Sequence, residues 1–285
     1  MKIGVCSANS GPYTTRAALD SIAELAEGFG VESVWVSEHP VLADPRRPPS
    51  PMDPADPILD PVATLAFLAG RTTTVLLGSG VIVLPFRNPL LLAKELATID
   101  VLSGGRLIFG VGVGYVDQEF EALGVPMADR GARTEDYLAA MRAIWSQPHP
   151  EYHGELFKFG GVQANPRPLQ QPHVPVVLGG YVPAVLRRTV RDADGWYGWG
   201  LSVRQAAQYI ESLRAAGDEV ARCDDLGPLE ITITPPGDID VATAAEYAEV
   251  GVGRLNLVLP WEQPDGGLES FFAQQVRPLV AAYGQ

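Results

Sequence analysis

Residues Val75 to Glu119 read VLLGSGVIVLPFRNPLLLAKELATIDVLSGGRLIFGVGVGYVDQE, and their pattern decides the fold. The apolar run Val75 to Leu84 lacks the polar alternation of a sheet with one wet face, so it reads as a strand buried on both sides. Asn88 is placed to cap a following helix, and Pro89 suits the first helical position, where no amide donor is needed. Leu90, Leu91, Leu92, Leu96, Ile99 and Leu102 give that helix an apolar face. Gly104 or Gly105 ends it with a left-handed backbone, and Arg106 leads into a second buried run, Leu107 to Val113. The unit is β-α-β with parallel strands. Gly110, Gly112 and Gly114 close the second run, and their missing side chains leave room for another group against the backbone at the strand's carboxyl end.

The same rhythm extends outward. Lys2 to Cys6 is a strand, a helical pattern from Thr14 stops at Gly30, and Val34 to Val36 is the second strand, which delivers Ser37, Glu38 and His39 to its end. Residues 40–59 are then rich in proline. A loop of that length in a compact domain suits a lid, and it follows the strand end where α/β barrels carry their sites. Asp60 and Pro61 start another helix. Beyond Glu119 a connection leads to a helix from about Thr134 to Trp145, with Glu135 and Asp136 in its first turn. Residues 146–174 break the rhythm, and Tyr152 to Phe159 reads as an inserted hairpin. Val174 to Leu178 is a fifth core strand, followed by Gly179, Gly180, Tyr181 and a helix opening at Pro183, a turn whose amides suit an anion. The run DGWYGW at 194–199 is a sixth strand, and Ser202 with Gln205 makes a capping box. Leu229 to Thr234 and Arg254 to Leu259 complete eight strands. The economical arrangement is an α/β fold of TIM-barrel type, (β/α)8, with an inserted hairpin segment, in one domain over 1–285.

Composition bounds the function. Of 285 residues 46% are hydrophobic, and the formal net charge is −13, which disfavours nucleic acid and anionic membrane surfaces as partners. No apolar run approaches the roughly 18 residues of a membrane span, and the amino terminus lacks a signal-peptide pattern, so a cytoplasmic location is expected. Cys6 and Cys223 give neither a disulfide framework nor a metal spacing, and both are expected to be reduced and buried. The four histidines are scattered, so no metal is expected. The GVGVG run fails as a dinucleotide fingerprint because Asp117 stands where a third glycine is needed.

The run GVIVLPFRNPLLLAKELATIDVLSGGRLIFGVGVGY, with VWVSEH before it and VVLGGYVPAVLRR then DGW after it, resembles the luciferase-like monooxygenase superfamily, and within it the oxidoreductases that use the deazaflavin coenzyme F420. The resemblance implies a TIM barrel and a non-proline cis peptide at Gly80–Val81. It implies that His39 faces the coenzyme ring as the catalytic residue, that Gly80, Val81 and Val83 back the ring, that Val113, Gly114 and Tyr115 bind its pyrimidine and ribityl parts, and that Gly179, Gly180 and Tyr181 hold its phosphate. Sugar-phosphate enzymes of this branch carry a glutamate where Tyr115 stands, so an uncharged or partly hydrophobic small-molecule substrate is expected instead. An imidazole at His39 is suited to hold or relay a proton. Trp196 and Trp199 are candidates for the substrate pocket. Glu38 suits capping or pairing with an arginine as well as it suits chemistry, Asp117 and Glu119 suit pairing with Arg130 or Arg133, and Arg87 and Arg106 suit holding the barrel together. The resemblance also implies a homodimer. The alternative is an FMN-dependent monooxygenase that takes reduced flavin from a separate reductase and activates oxygen. A third reading is a flavin-binding barrel without catalysis.

Overall fold

The computed structural model describes residues 1–262 and 267–283. Eight parallel strands form its centre: β1 (Lys2–Cys6), β2 (Ser33–Val36), β3 (Leu76–Ser79), β4 (Leu107–Gly112), β5 (Val176–Gly179), β6 (Gly195–Trp199), β7 (Glu230–Thr234) and β8 (Arg254–Val258). Each pairs with the next, and β8 returns to β1 in a register that runs from Lys2 against Arg254 to Cys6 against Val258. The ring is closed and has no free edge. Around it lie α1 (Arg16–Phe29), α2 (Pro61–Arg71), α3 (Pro89–Ser103), α4 (Asp117–Ala122), α5 (Arg130–Ser146), α6 (Pro183–Asp192), α7 (Val203–Glu219) and α8 (Val241–Glu249), with a further helical segment from Gly267 to Tyr283.

The central unit forms as its residues dictate. The Asn88 side chain accepts the Leu90 and Leu91 amides, Pro89 occupies the first turn, and Gly104 ends α3 at φ 73°. Two details differ from what the apolar pattern alone predicts. Leu92, Leu96 and Ile99 face the core, whereas Leu91 and Leu102 are 66% and 61% exposed, because a run of leucines conceals which members fall on the buried stripe. The third strand is also not continuous. It stops at Ser79, the Gly80–Val81 peptide is cis, and pairing resumes at Ile82–Val83 against Val111 and Gly112. At this break β3 and β4 are in backbone contact. A Cβ on Gly110 would fall 1.7 Å from the Ser79 carbonyl oxygen, while Ser79 Oγ donates to the Gly110 carbonyl at 2.8 Å and accepts its amide at 2.9 Å.

Inward-facing side chains alternate along each strand. Cys6, Trp35, Ile108, Val177 and Tyr197 pack together inside, with the Trp35 and Tyr197 rings stacked at 5.5 Å. Arg254, 1% exposed, seals the amino end by bonding Glu32 at 2.6 and 2.7 Å and Thr232 at 3.0 Å. Among the described residues, Arg254 thus closes the end of the barrel opposite the strands' carboxyl ends. Arg106 bonds Thr72, Val75 and Ser103 from outside, the structural role expected of it.

The inserted hairpin pairs Tyr152–His153 with Lys158–Phe159, and the capping box of Ser202 and Gln205 forms. Helix α5 begins a turn earlier than its periodicity suggested, so Glu135 and Asp136 are not first-turn residues. Glu135 instead pairs with Arg188 at 2.6 Å. Asp136 accepts the Tyr152 hydroxyl at 2.6 Å and the Leu156 amide at 2.8 Å, which ties the hairpin to α5. The segment after Glu119, read as a bare connection, starts within α4. Cys6 is buried as expected, but Cys223 is exposed.

Candidate active site

The carboxyl ends of β2 to β6 gather most of the residues singled out in the sequence. Val81 lies where the glycines of β4 and β5 leave space. A Cβ on Gly112 would stand 2.5 Å from Val81 Cγ2, and one on Gly179 3.2 Å from Val81 Cγ1. The group that fills this gap is thus the chain's own valine. A Cβ on Gly80 would stand 3.0 Å from the Tyr197 ring, so Gly80 rests on the inner aromatic layer. Gly80, Val81, Val113, Gly114, Gly179 and Gly180 all stay partly open to solvent, and together they make a shallow apolar wall. Val83 is different. It is 6% exposed, and a Cβ on Gly114 would fall 2.8 Å from its methyl, so it supports the wall from behind instead of facing the mouth.

His39 stands beside this wall. Its Nδ1 is 2.9 Å from Glu119 Oε1, with the two side chains 14% and 2% exposed. An ionised carboxylate only accepts, so Nδ1 carries the proton of this bond and Nε2 is left for another partner. Tyr115 lies edge-on to the imidazole at 6.2 Å between centroids. Burial, with Glu119 nearby, raises the Tyr115 phenol above its usual range, and burial raises Tyr197 well above it and the Cys6 thiol to about 12. These groups stay protonated at neutral pH and do not compete with His39 as a base.

Glu119 does not pair with Arg130 or Arg133. Arg133 is taken by Asp129 at 2.6 Å, and α4 turns Glu119 inward to the histidine. Its only trace in the sequence is an acidic residue just after the glycine run. The neighbouring carboxylate takes the first of the two roles open to it. Glu38, its side chain 1% exposed, bonds the Arg87 guanidinium through Oε1, with Arg87 Nε at 2.8 Å, and accepts the Val83 amide through Oε2 at 2.6 Å. Arg87 also reaches Asp60 at 2.6 Å. One buried ion pair therefore fastens the end of β2, and with it His39, to the broken third strand and to the start of α2.

Residues 40–59 leave from His39 and return beside the β1 end, where Ile58 bridges Ser10, the Gly11 amide meets the Pro57 carbonyl at 2.9 Å and the Leu59 amide meets Asn9 at 2.9 Å. The segment is pinned at both ends of the mouth. Between Val41 to Arg47 and α4 lies a cavity of about 260 Å³. A larger one of about 670 Å³ sits outside the barrel between α5, α6 and the hairpin. Most of its charged groups are already engaged, Glu135 by Arg188, Asp192 by Arg191 and Asp136 by Tyr152, so it offers no reacting pair.

The turn Gly179 to Tyr181 is tied to β6. Trp196 Nε1 donates to the Gly180 carbonyl at 2.9 Å, and the Tyr181 hydroxyl accepts the Trp199 amide at 2.7 Å and lies 2.9 Å from its carbonyl. Trp196 is fully buried against Tyr209 on the helix side of β6, which corrects its placement in the substrate pocket. Alternation along the strand sends Tyr197 and Trp199 inward and Trp196 out. Trp199, 45% exposed, is at the mouth. Among the described residues there is no cluster of three or more metal-ligating side chains, and no helix is long and apolar enough to cross a membrane.

The luciferase-like monooxygenase family model matches residues 1–252. An uncharacterised protein of Mycobacterium tuberculosis is 33% identical over 261 residues, covering 82% of this chain and 92% of that protein. The FMNH2-dependent dimethylsulfone monooxygenase of Pseudomonas putida is 34% identical over 131 residues, 45% of this chain and 36% of that enzyme. The solved structure of an F420-dependent secondary alcohol dehydrogenase with an F420-acetone adduct superposes with a TM-score of 0.78 at 16% identity, covering 98% of each chain. The eight-stranded barrel with its broken third strand thus meets a family match over most of its length, and the chain belongs to the luciferase-like monooxygenase family.

Proposed function

We propose that this chain is an F420-dependent oxidoreductase that moves a hydride between the deazaflavin coenzyme and an organic small molecule. The observation that carries the reading is the pairing of His39 with a buried Glu119 beside an apolar, glycine-lined wall. The residues present fit the coenzyme. Gly80 and Val81 offer a flat backing, Val113, Gly114 and Tyr115 border it, and the turn at Gly179, Gly180 and Tyr181 offers backbone amides to a phosphate. When bound, the coenzyme supplies the hydride chemistry. The chain's own part is binding, orientation and proton handling. Glu119 holds the His39 ring by Nδ1, so that Nε2 gives a proton to, or takes one from, a substrate oxygen. The pinned segment 40–59 limits water at the mouth.

A second reading is favoured by the likeness to the dimethylsulfone monooxygenase. In it the same wall takes reduced FMN, delivered by a separate reductase, and the reaction consumes oxygen. Equilibrium titration with both coenzymes separates the two. Preferential binding of F420 supports the first, preferential binding of reduced FMN supports the second, and binding of neither leaves a barrel without this chemistry.

A further inference from the structure

The charged groups that follow the strand ends directly, leaving aside the segment 40–59, sit on one side. His39, Glu38, Arg87 and Glu119 belong to the ends of β2, β3 and β4. On the opposite side the chain carries no charged side chain from Cys6 to Thr15, Trp199 to Val203, Thr234 to Gly237 or Val258 to Trp261. Arg204, Asp238 and Glu262, which follow these stretches, are exposed.

Two tryptophans stand on this uncharged side. Trp35, Trp145 and Trp196 are at most 2% exposed, whereas Trp199 and Trp261 are 45% and 47% exposed. Half-bare indoles are unfavourable in water unless something covers them, and tryptophan is a common anchor of binding sites. Both are also held in place. The Tyr181 hydroxyl clamps the Trp199 backbone, and the Tyr197 ring meets the indole edge-on at 6.4 Å. Trp261 lies on Gly11, where a Cβ would come within 2.7 Å of the ring, and the Tyr13 hydroxyl fixes the preceding Pro260 carbonyl at 2.5 Å. Ordering both indoles beforehand lowers the entropy cost of binding. Trp199 ends β6 and Trp261 follows β8. One strand lies between them, a separation of about 10 Å at the usual strand spacing, which leaves room for a planar ring.

We infer that Trp199 and Trp261 form the substrate wall of this enzyme and that it takes a neutral aromatic compound. The inference rests on the mouth being the coenzyme site proposed above. A carboxylate or phosphate on the substrate would find no cation within these four stretches, where Arg16 and Arg204 come only after their ends, and would lose its hydration without return. Val258, 38% exposed and level with Cys6 at the top of the barrel, adds an apolar surface.

Three probes test it: 2-naphthol, 2-decalol with the same skeleton saturated, and 2-naphthoate with an added charge. Each is titrated calorimetrically into the protein with and without F420, and F420 itself is titrated into the same samples. The naphthol is expected to bind about 10-fold more tightly than either control, and Trp199→Ala or Trp261→Ala to weaken it about 5-fold or more. Trp199→Phe and Trp261→Phe, which keep a ring, should retain most of the affinity, and the F420 affinity should be unchanged throughout. Equal binding of the three probes, or alanine variants that bind naphthol as the parent does, overturns the inference. Failure of F420 to bind while naphthol binds through both tryptophans defeats the functional reading and leaves the aromatic wall standing.

Discussion

His39→Asn is expected to lower turnover by about 10²- to 10⁴-fold, the usual worth of a positioned proton donor or acceptor, while moving the thermal midpoint by no more than about 4 °C. The choice of asparagine follows from the contact with Glu119. Alanine would strand a carboxylate that is 2% exposed and destabilise the fold for reasons unrelated to chemistry. The asparagine amide still donates from near the Nδ1 position, so Glu119 keeps a partner and only the Nε2 position is lost. Glu119→Gln should fall between the variant and the parent, because an amide still meets Nδ1 but holds the ring less firmly than a carboxylate does. Activity and midpoint falling together in His39→Asn would make the histidine a structural residue.

Arg87→Ala is expected to cost about 3–5 kcal/mol of unfolding free energy in urea, the penalty of leaving a buried charge alone. Glu38 is 1% exposed on its side chain and would retain only the Val83 amide. Burial already raises the Glu38 carboxyl above its usual range, against the lowering effect of Arg87. A carboxyl raised in the folded state stabilises the fold through its protonated form, fully at pH below its unfolded value, and that contribution is lost as pH climbs through the folded value. Taking Arg87 away raises the folded value further. The deficit of the variant should therefore be larger at neutral pH than at about pH 5. A cost under about 1 kcal/mol, or one equal at both pH values, would show that the pair contributes no more than a surface ion pair does.

Much of this was open to reading from the chain. Asn88, Pro89 and Gly104 punctuate α3 through local chemistry, and the unbroken apolar runs declare strands buried on both faces, so the barrel follows from signals within a few residues of one another. What stayed hidden depended on distant partners or on phase. Glu119 finds His39 across 80 residues, a pairing no local pattern announces. The aromatic run of β6 has no polar member to show which side faces inward, so Trp196 and Trp199 looked alike until the register with β5 and β7 separated them. Periodicity alone also hides the break after Ser79, because Val81 to Leu84 continue the hydrophobic run beyond it, and only the resemblance marked the place, as a cis peptide at Gly80–Val81.

The most direct test of the coenzyme site is a crystal structure of the protein grown with F420. The expected result is a planar ring against Gly80 and Val81 with His39 Nε2 turned toward the reacting face and the phosphate at the turn of Gly179 to Tyr181. A ring bound elsewhere, with the Gly80–Val81 wall bare, would contradict it.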